Sequence, residues 1–252
     1  MTEFRDFPFP LNVLLTVLER EEGSANVVAM HYGLFEAPGD SIAAAQERST
    51  ALLLSRLPPP PARLLEVGIG LGTTLARLAA MGYAAEGLTP DPVQAAAARK
   101  RFGESIGVHV APLEMFETES RYDAVFFQES SQYIDAEALF ARAKTLTKNV
   151  IVLDEFALRP IDEPGALHSR DAFLAAAARH GFAVIEELDL SAKAAPTMAY
   201  FTDRIPQYRQ RLMRDLGLTD ADIDHLVENG VRYRERYANG TYGYRLIRLR
   251  RG

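Results

Sequence analysis

From Arg63 onward the chain alternates between short apolar runs and longer stretches in which alanine, leucine and charged residues recur at helical spacing. The apolar runs are R-L-L-E-V (63–67), Y-A-A-E-G-L (83–88), V-H-V (108–110), Y-D-A-V-F-F (122–127), N-V-I-V-L-D (149–154) and F-A-V-I-E-E-L (182–188). All are short enough to be strands, and helical segments at 73–81, 92–103, 135–146 and 169–180 separate most of them. This alternation predicts βαβ crossovers and a parallel sheet covered on both faces. The pattern changes at both ends of the chain. Residues 11–20 and 41–56 read as helices, the second opening behind Pro38-Gly39-Asp40 with Asp40 or Ser41 as its cap. Pro58 to Pro61 forbid helix and make a short stiff connector. Residues 194–239 read as two or three helices, the last opening on a capping box, Thr219-x-x-Asp222. The closing T-Y-G-Y-R-L-I-R-L-R alternates bulky apolar residues with arginine, the pattern of a strand with one face solvated. The expected organisation is an N-terminal helical cap (1–61), a core (62–190), a helical insertion (191–240) and a last core strand (241–252).

Composition narrows the function classes. Apolar residues make up 48% and charged residues 25% of the 252, ordinary for a globular protein with a sizeable core. The net charge is −6, with no face-wide basic excess, which argues against nucleic acid or an anionic membrane as the main partner. No apolar stretch approaches the ~18–20 residues of a membrane span. The N-terminus, M-T-E-F-R-D-F-P, lacks the basic start and apolar block of a secretory signal, so a cytoplasmic enzyme is expected. There is no cysteine, which excludes disulfides and thiolate chemistry, and the five histidines show no metal-ligand spacing, so no metal is expected. The excess of arginine and alanine points to a high-GC bacterial genome.

The candidate chemistry begins at R-L-L-E-V-G-I-G-L-G-T-T (63–74), where an apolar run ends in glycines and leads into a helix. Glycines there let the backbone turn tightly and let a ligand approach its N–H groups at a helix N-terminus. A dinucleotide fold usually places its third glycine three residues after the second, whereas here Gly68, Gly70 and Gly72 are followed by Thr73. It also places an acid on the ribose about 20 residues beyond. This chain has G-L-T-P-D-P-V-Q (87–94) at that place, with Thr89 where the acid would stand and Gln94 five residues later.

E-V-G-x-G-x-G followed by G-L-T-x-x-x-x-Q resembles the class I S-adenosylmethionine-dependent methyltransferases, nearest to the branch related to cyclopropane-fatty-acid synthases. The resemblance spans roughly residues 30–155. It implies an α/β fold: a Rossmann-like, doubly wound, mostly parallel sheet with a final antiparallel strand, carrying the helical cap and insertion as additions. It also implies S-adenosyl-L-methionine as cofactor, a small-molecule acceptor, and cofactor contacts from Glu66, Gly68, Gly70 and Thr73. The branch's Thr and Gln on the ribose fall on Thr89 and Gln94. Its Ala-Gln pair in the preceding helix falls on Ala45-Gln46, and its Tyr over the cofactor on Tyr32. Two positions depart from the pattern. The Asp that reads the adenine is replaced by A-P-L-E-M-F, which leaves Glu114 or the backbone around Leu113 and Met115 for that task. The branch's Glu-His pair after the fourth strand is Gln132-Tyr133 here, so a small-molecule methyltransferase fits better than a cyclopropane synthase.

Family position puts Gln128, at the end of the fourth strand, against the methionine end of the cofactor, and turns Glu129 toward the reaction zone. Glu129 and His31 are the candidate bases; a helix-capping carboxylate and a hydrogen-bonded histidine are the alternatives of equal weight. Tyr133, Tyr200 and Tyr237 are candidates for an aromatic acceptor pocket, although packing of the added helices explains most tyrosines after residue 199. An exposed aromatic patch would equally serve a homodimer. Beside the methyltransferase stand two other readings: a non-catalytic S-adenosylmethionine-binding or partner module, and a nucleotide-dependent oxidoreductase, which Thr73 and the missing acid disfavour.

Overall fold

The computed structural model describes residues 2–103, 106–161, 163 and 167–252. They form two compact units, one from Met1–Ser49 with Ser191–Gly240 and one from Thr50–Leu190 with Thr241–Gly252. The division falls inside helix α2 (Ile42–Leu54) rather than at the proline connector.

The second unit is a seven-stranded sheet built from β1 (Arg63–Val67), β2 (Ala84–Thr89), β3 (Gly107–Val110), β4 (Ala124–Gln128), β5 (Asn149–Ala157), β6 (Phe182–Asp189) and β7 (Tyr242–Arg251). The strand order is β3-β2-β1-β4-β5-β7-β6. β1 to β5 are parallel, and β7 runs antiparallel to both β5 and β6. Helices α3 (Thr73–Ala80), α4 (Pro92–Phe102), α5 (Ala136–Leu146) and α6 (Arg170–Arg179) make the crossovers, within a residue or two of the predicted spans. Alternation sorts the strands. Leu65 and Val67, Val125 and Phe127, and Val150 and Val152 face one core cluster with Phe140 and Phe173 of α5 and α6. Glu66 and Gln128 lie on the opposite face, at the carboxyl ends of β1 and β4. Chain order reverses between these two strands, and open α/β sheets bind ligands at such a point.

One expectation fails in β7. An arginine-alternating strand with one solvated face was predicted, but β7 lies between β5 and β6 and is buried through Ile247. Arg245 is only 9% exposed. Its charge is met by Glu187 at 3.5 Å and by Asp189, and Arg248 meets Glu186 at 3.0 Å. All three acids sit on β6, so the solvent that the pattern implied is replaced by a neighbouring strand of opposite charge.

The first unit is helical: α1 (Leu11–Glu22), the start of α2, α7 (Ser191–Ala194), α8 (Pro196–Arg204), α9 (Arg209–Leu216) and α10 (Asp220–Ala238). The Thr219–Asp222 capping box is present at α10. The segment at 31–36 is stitched into the unit by backbone: Leu34 N–H donates to Ala45 O at 2.8 Å and Phe35 N–H to Lys193 O at 2.9 Å. Thus the two ends of this unit, distant in sequence, share one hydrogen-bonded loop.

Candidate active site

β1 leaves the sheet through Gly68, Gly70 and Gly72, with φ of 81°, 52° and 77°. The Gly68 N–H donates to Leu88 O at 2.7 Å, which ties the loop to the end of β2, and the Gly72 N–H closes the turn onto Ile69 O at 2.7 Å. Helix α3 starts behind Gly72 with no side-chain cap on its first N–H groups. Two buried polar atoms here lack a hydrogen-bond partner, Glu66 Oε2 and Thr73 Oγ1. Burial pushes the Glu66 carboxyl well above the usual carboxylate range.

At the end of β2 the buried Thr89 hydroxyl donates to Gln94 Oε1 at 3.1 Å and accepts from Asp91 N–H at 3.2 Å. Asp91 in turn caps α4, its Oδ1 accepting from Val93 N–H at 2.8 Å, which sets Gln94 on the first turn facing Thr89. After β3, Leu113 points into the sheet core, while Glu114 and Met115 are exposed, Met115 at 75%. Among the three candidates around the missing Asp, Leu113 therefore has only backbone to offer a ligand.

β4 ends in a strained turn. Gln128 is held at both ends of its amide: Oε1 accepts from Thr74 Oγ1 at 3.3 Å and Nε2 donates to Thr50 Oγ1 at 3.4 Å. Glu129 has φ of 56°, the sole positive value for a non-glycine among the described residues, at a cost of about 1–3 kcal/mol. The surrounding structure over-determines it. Its N–H donates to Leu153 O at 2.9 Å, and Tyr244 donates its hydroxyl to Glu129 Oε1 at 2.6 Å. Ser130 donates to the Val67 carbonyl, and Ser131 gives its N–H and hydroxyl to Asp154 Oδ2 at 2.9 and 2.6 Å. Asp154 is fully buried, and burial raises its carboxyl to about 6 despite these donors. Tyr133, four residues on from Glu129, is 78% exposed.

The sheet unit therefore brings together Glu66, Gly68, Gly70, Thr73, Thr89, Gln94, Gln128 and Glu129 at neighbouring strand ends. His31, Tyr32, Gln46, Tyr200 and Tyr237 belong to the helical unit. There Gln46 is a tie, donating to His31 O at 2.7 Å and Ala29 O at 3.4 Å. Tyr32 meets Met198 Sδ at 2.7 Å through its hydroxyl and the Tyr237 ring at 6.3 Å. Tyr200 packs edge-on to Phe201, with the Arg204 guanidinium 3.8 Å above its ring. Residue patterns gave no sign of Tyr244 as a partner of Glu129, or of Ser130 beneath the glycine loop.

His31 Nδ1 lies 2.9 Å from Tyr32 O, so that nitrogen carries the proton, since a carbonyl only accepts. Burial lowers the ring to about 4, which makes it a weak base. An unfolded histidine takes up its proton near pH 6.5 and this one only near 4. The resulting stability is complete above pH 6.5 and is lost as pH falls toward 4, about 3 kcal/mol in all. Urea midpoints of wild type and His31→Gln should thus differ most at pH 7 and converge toward pH 4. A pH-independent gap would show that His31 is not held neutral.

Comparison with known proteins follows the same lines. Residues 65–150 match the family model described as "Methyltransferase domain". Over that third of its length the chain is similar to a methyltransferase domain. Its fold is shared with solved methyltransferases, cyclopropane synthases and a cyclase of low sequence identity. It is similar to the cyclopropane synthase MmaA2 from Mycobacterium tuberculosis, with TM-score 0.79, 17% identity and coverage of 90% of this chain and 91% of that one. The [4+2]-cyclase SpnF gives TM-score 0.78 and 19% identity over 95% and 92%. The geranyl diphosphate C-methyltransferase from Streptomyces coelicolor A3(2) gives 0.66 and 17% over 100% and 99%, and was solved with Mg2+, geranyl diphosphate and S-adenosyl-L-homocysteine. No curated protein matches the chain in sequence. No helix among the described residues is long and apolar enough to cross a membrane, and no group of three or more His, Asp or Glu among them is placed to hold a metal ion.

The side chains at the carboxyl ends of β1 and β2 fit S-adenosylmethionine. The orphaned Glu66 oxygen suits the cofactor's ammonium, and Thr89 with Gln94 suits two ribose hydroxyls. With the Gln94 carbonyl taken by Thr89, its amide nitrogen is the end left to donate. Thr89→Val should weaken S-adenosylmethionine by about 1–3 kcal/mol, leaving a ribose hydroxyl unpartnered. Gln94→Leu should cost a similar amount, and the double variant less than the sum, because each side chain orients the other. Calorimetry on the three proteins reads both effects; wild-type affinity in both single variants would move the ribose elsewhere.

Proposed function

We propose that this chain transfers the methyl group of S-adenosylmethionine to a small organic acceptor, with Glu129 as the carboxylate on the acceptor side. The observation that carries the reading is the convergence of an uncapped helix N-terminus, the orphaned Glu66 and Thr73 atoms and the Thr89–Gln94 pair where strand order reverses. When bound, the cofactor supplies an electrophilic methyl on a sulfonium. The residues of this chain do the rest. Glu66, Thr73, Gly70, Thr89 and Gln94 hold the donor, the backbone of Leu113–Met115 flanks its adenine, and Gln128 lines its methionine end. Glu129 orients the acceptor nucleophile and takes its proton where it has one to lose. Tyr133 is assigned to acceptor choice. The weak basicity of His31 favours Glu129 as the base. A cytoplasmic, bacterial setting goes with this reading, on the residue composition alone.

A second reading has one observation in its favour: the similar chain SpnF is a [4+2]-cyclase, so the fold does not require methyl transfer. Calorimetry against S-adenosylmethionine and NAD, followed by incubation of the full chain with methyl-labelled S-adenosylmethionine and pooled amines, hydroxy acids and prenyl compounds, separates the readings. Binding of S-adenosylmethionine with label in a product supports the transferase. Binding without label transfer to any pool favours the non-catalytic module, and NAD binding alone would overturn both.

A further inference from the structure

Tyr244 sits at the seventh strand's third residue and is fully buried, yet its hydroxyl lies 2.6 Å from Glu129 Oε1, 115 residues away in sequence. The route is topological. β7 enters the sheet beside β5 and pairs Tyr244 with Glu155, so the tyrosine side chain shares a sheet face with Glu155 next to the end of β4. Its backbone is fixed independently, the Tyr244 carbonyl accepting from Leu190 N–H at 2.9 Å. Glu129 is fixed at the main chain by Leu153 and by the Ser131–Asp154 anchor that follows it. Both partners therefore have anchored backbones, and the hydrogen bond between them ties the carboxylate to β7. Glycine would meet the positive φ at no steric cost; a glutamate in this turn places a carboxylate where the loop geometry asks for none.

We infer that Tyr244 is a positioning residue for the methyl transfer, its hydroxyl holding the Glu129 carboxylate in the orientation the acceptor meets. The inference rests on the reading of Glu129 as the acceptor-side carboxylate. The charged and titratable groups around Glu129 include Tyr244 from β7, Asp154 and Glu155 from β5 and Tyr133 from its own turn. A hydroxyl donating to a carboxylate favours its ionised form, and carboxylates beside it oppose ionisation. Removing the hydroxyl should therefore leave Glu129 both misaimed and harder to ionise.

The experiment uses the full chain with 13C at glutamate Cδ and tyrosine Cζ, saturated with S-adenosylhomocysteine as the donor-site probe. The carboxyl signal missing from Glu129→Gln identifies Glu129. In Tyr244→Phe its titration midpoint should rise by about one pH unit, with S-adenosylhomocysteine Kd within about twofold of wild type. An unmoved midpoint overturns the inference. Should Tyr244→Phe fail to fold, Glu129→Gly reports from the other side: the Tyr244 Cζ midpoint should fall by about one unit as its anionic partner goes, and a constant midpoint overturns the inference equally. Label transfer in Glu129→Gln keeps the two claims apart. Transfer at the wild-type rate overturns the role of Glu129 and with it that of Tyr244, whereas an inactive Glu129→Gln with an unmoved midpoint overturns Tyr244 alone.

Discussion

Gly70→Val should abolish S-adenosylmethionine binding in a protein that still folds, and Gly68→Ala should lower the stability of the fold itself. The two glycines share a loop but answer to different constraints. At Gly68, with φ of 81°, an added Cβ would lie 2.3 Å from the Ser130 Cβ, in a place where Ser130 also donates to Val67 O. Neither the loop nor the end of β4 has room to shift, because Ser131 is anchored on Asp154 and the Gly68 N–H is held by Leu88 O. Overpacking and a forced left-handed backbone together should destabilise Gly68→Ala by about 2–4 kcal/mol. Gly70, with φ of 52°, is the glycine of the loop proposed to admit the cofactor. Valine there adds bulk and a β-branch on the ligand side and costs about 1–3 kcal/mol of backbone strain, so calorimetry should record no heat with S-adenosylmethionine while circular dichroism shows a folded protein of lowered Tm. Unchanged affinity in folded Gly70→Val would remove the glycine loop from the site.

The second large effect concerns Glu129. Glu129→Gln keeps size and shape and leaves the Tyr244 hydroxyl an acceptor in the amide oxygen, so folding and cofactor affinity should be preserved. What disappears is the negative charge and the capacity to take a proton. For an acceptor that loses a proton, removal of a positioned base lowers turnover by about 100- to 10,000-fold. For one that does not, the loss of orientation alone should be nearer tenfold. The measurement is label transfer to the acceptor found in the pooled screen, with donor KM followed in parallel. A fall in kcat at constant donor KM places Glu129 on the acceptor side; a rise in donor KM with kcat unchanged would put it on the cofactor instead.

Much of this architecture is legible in the residue pattern, for reasons that are local. β1, the glycine loop and α3 declare themselves within twelve residues, since an apolar run, positive-φ glycines and a helix start are all short-range signals. The Thr219–Asp222 box fixes the start of α10 for the same reason. Thr89 and Gln94 lie five residues apart, and their hydrogen bond follows from one strand end and one capped helix. What escaped was every contact made across the sheet. Arg245 and Arg248 look like a solvated stripe until β6 supplies Glu186, Glu187 and Asp189 beside them. Glu129 is singled out by its place in the family pattern alone, because neither its φ nor its bond to Tyr244 leaves a trace in neighbouring residues. Glu66 was legible as a position, but its orphaned oxygen is a property of the packed sheet.

The place of β7 also bears on how the chain assembles as it is made. Among the described strands β6 has no hydrogen-bonded neighbour except β7, and β7 follows it only after the helical residues Ser191–Gly240. On the ribosome, at about 5–20 residues per second, β6 therefore waits roughly 3–10 s for its partner to emerge. During that interval β5 shows a bare edge as well, its backbone groups paired on the β4 side alone. Parallel strands β1 to β4 can form early, but the far third of the sheet closes in a single late step, by insertion of one strand between two that are waiting. Nascent chains stalled before residue 242 should accordingly be the species that chaperones retain.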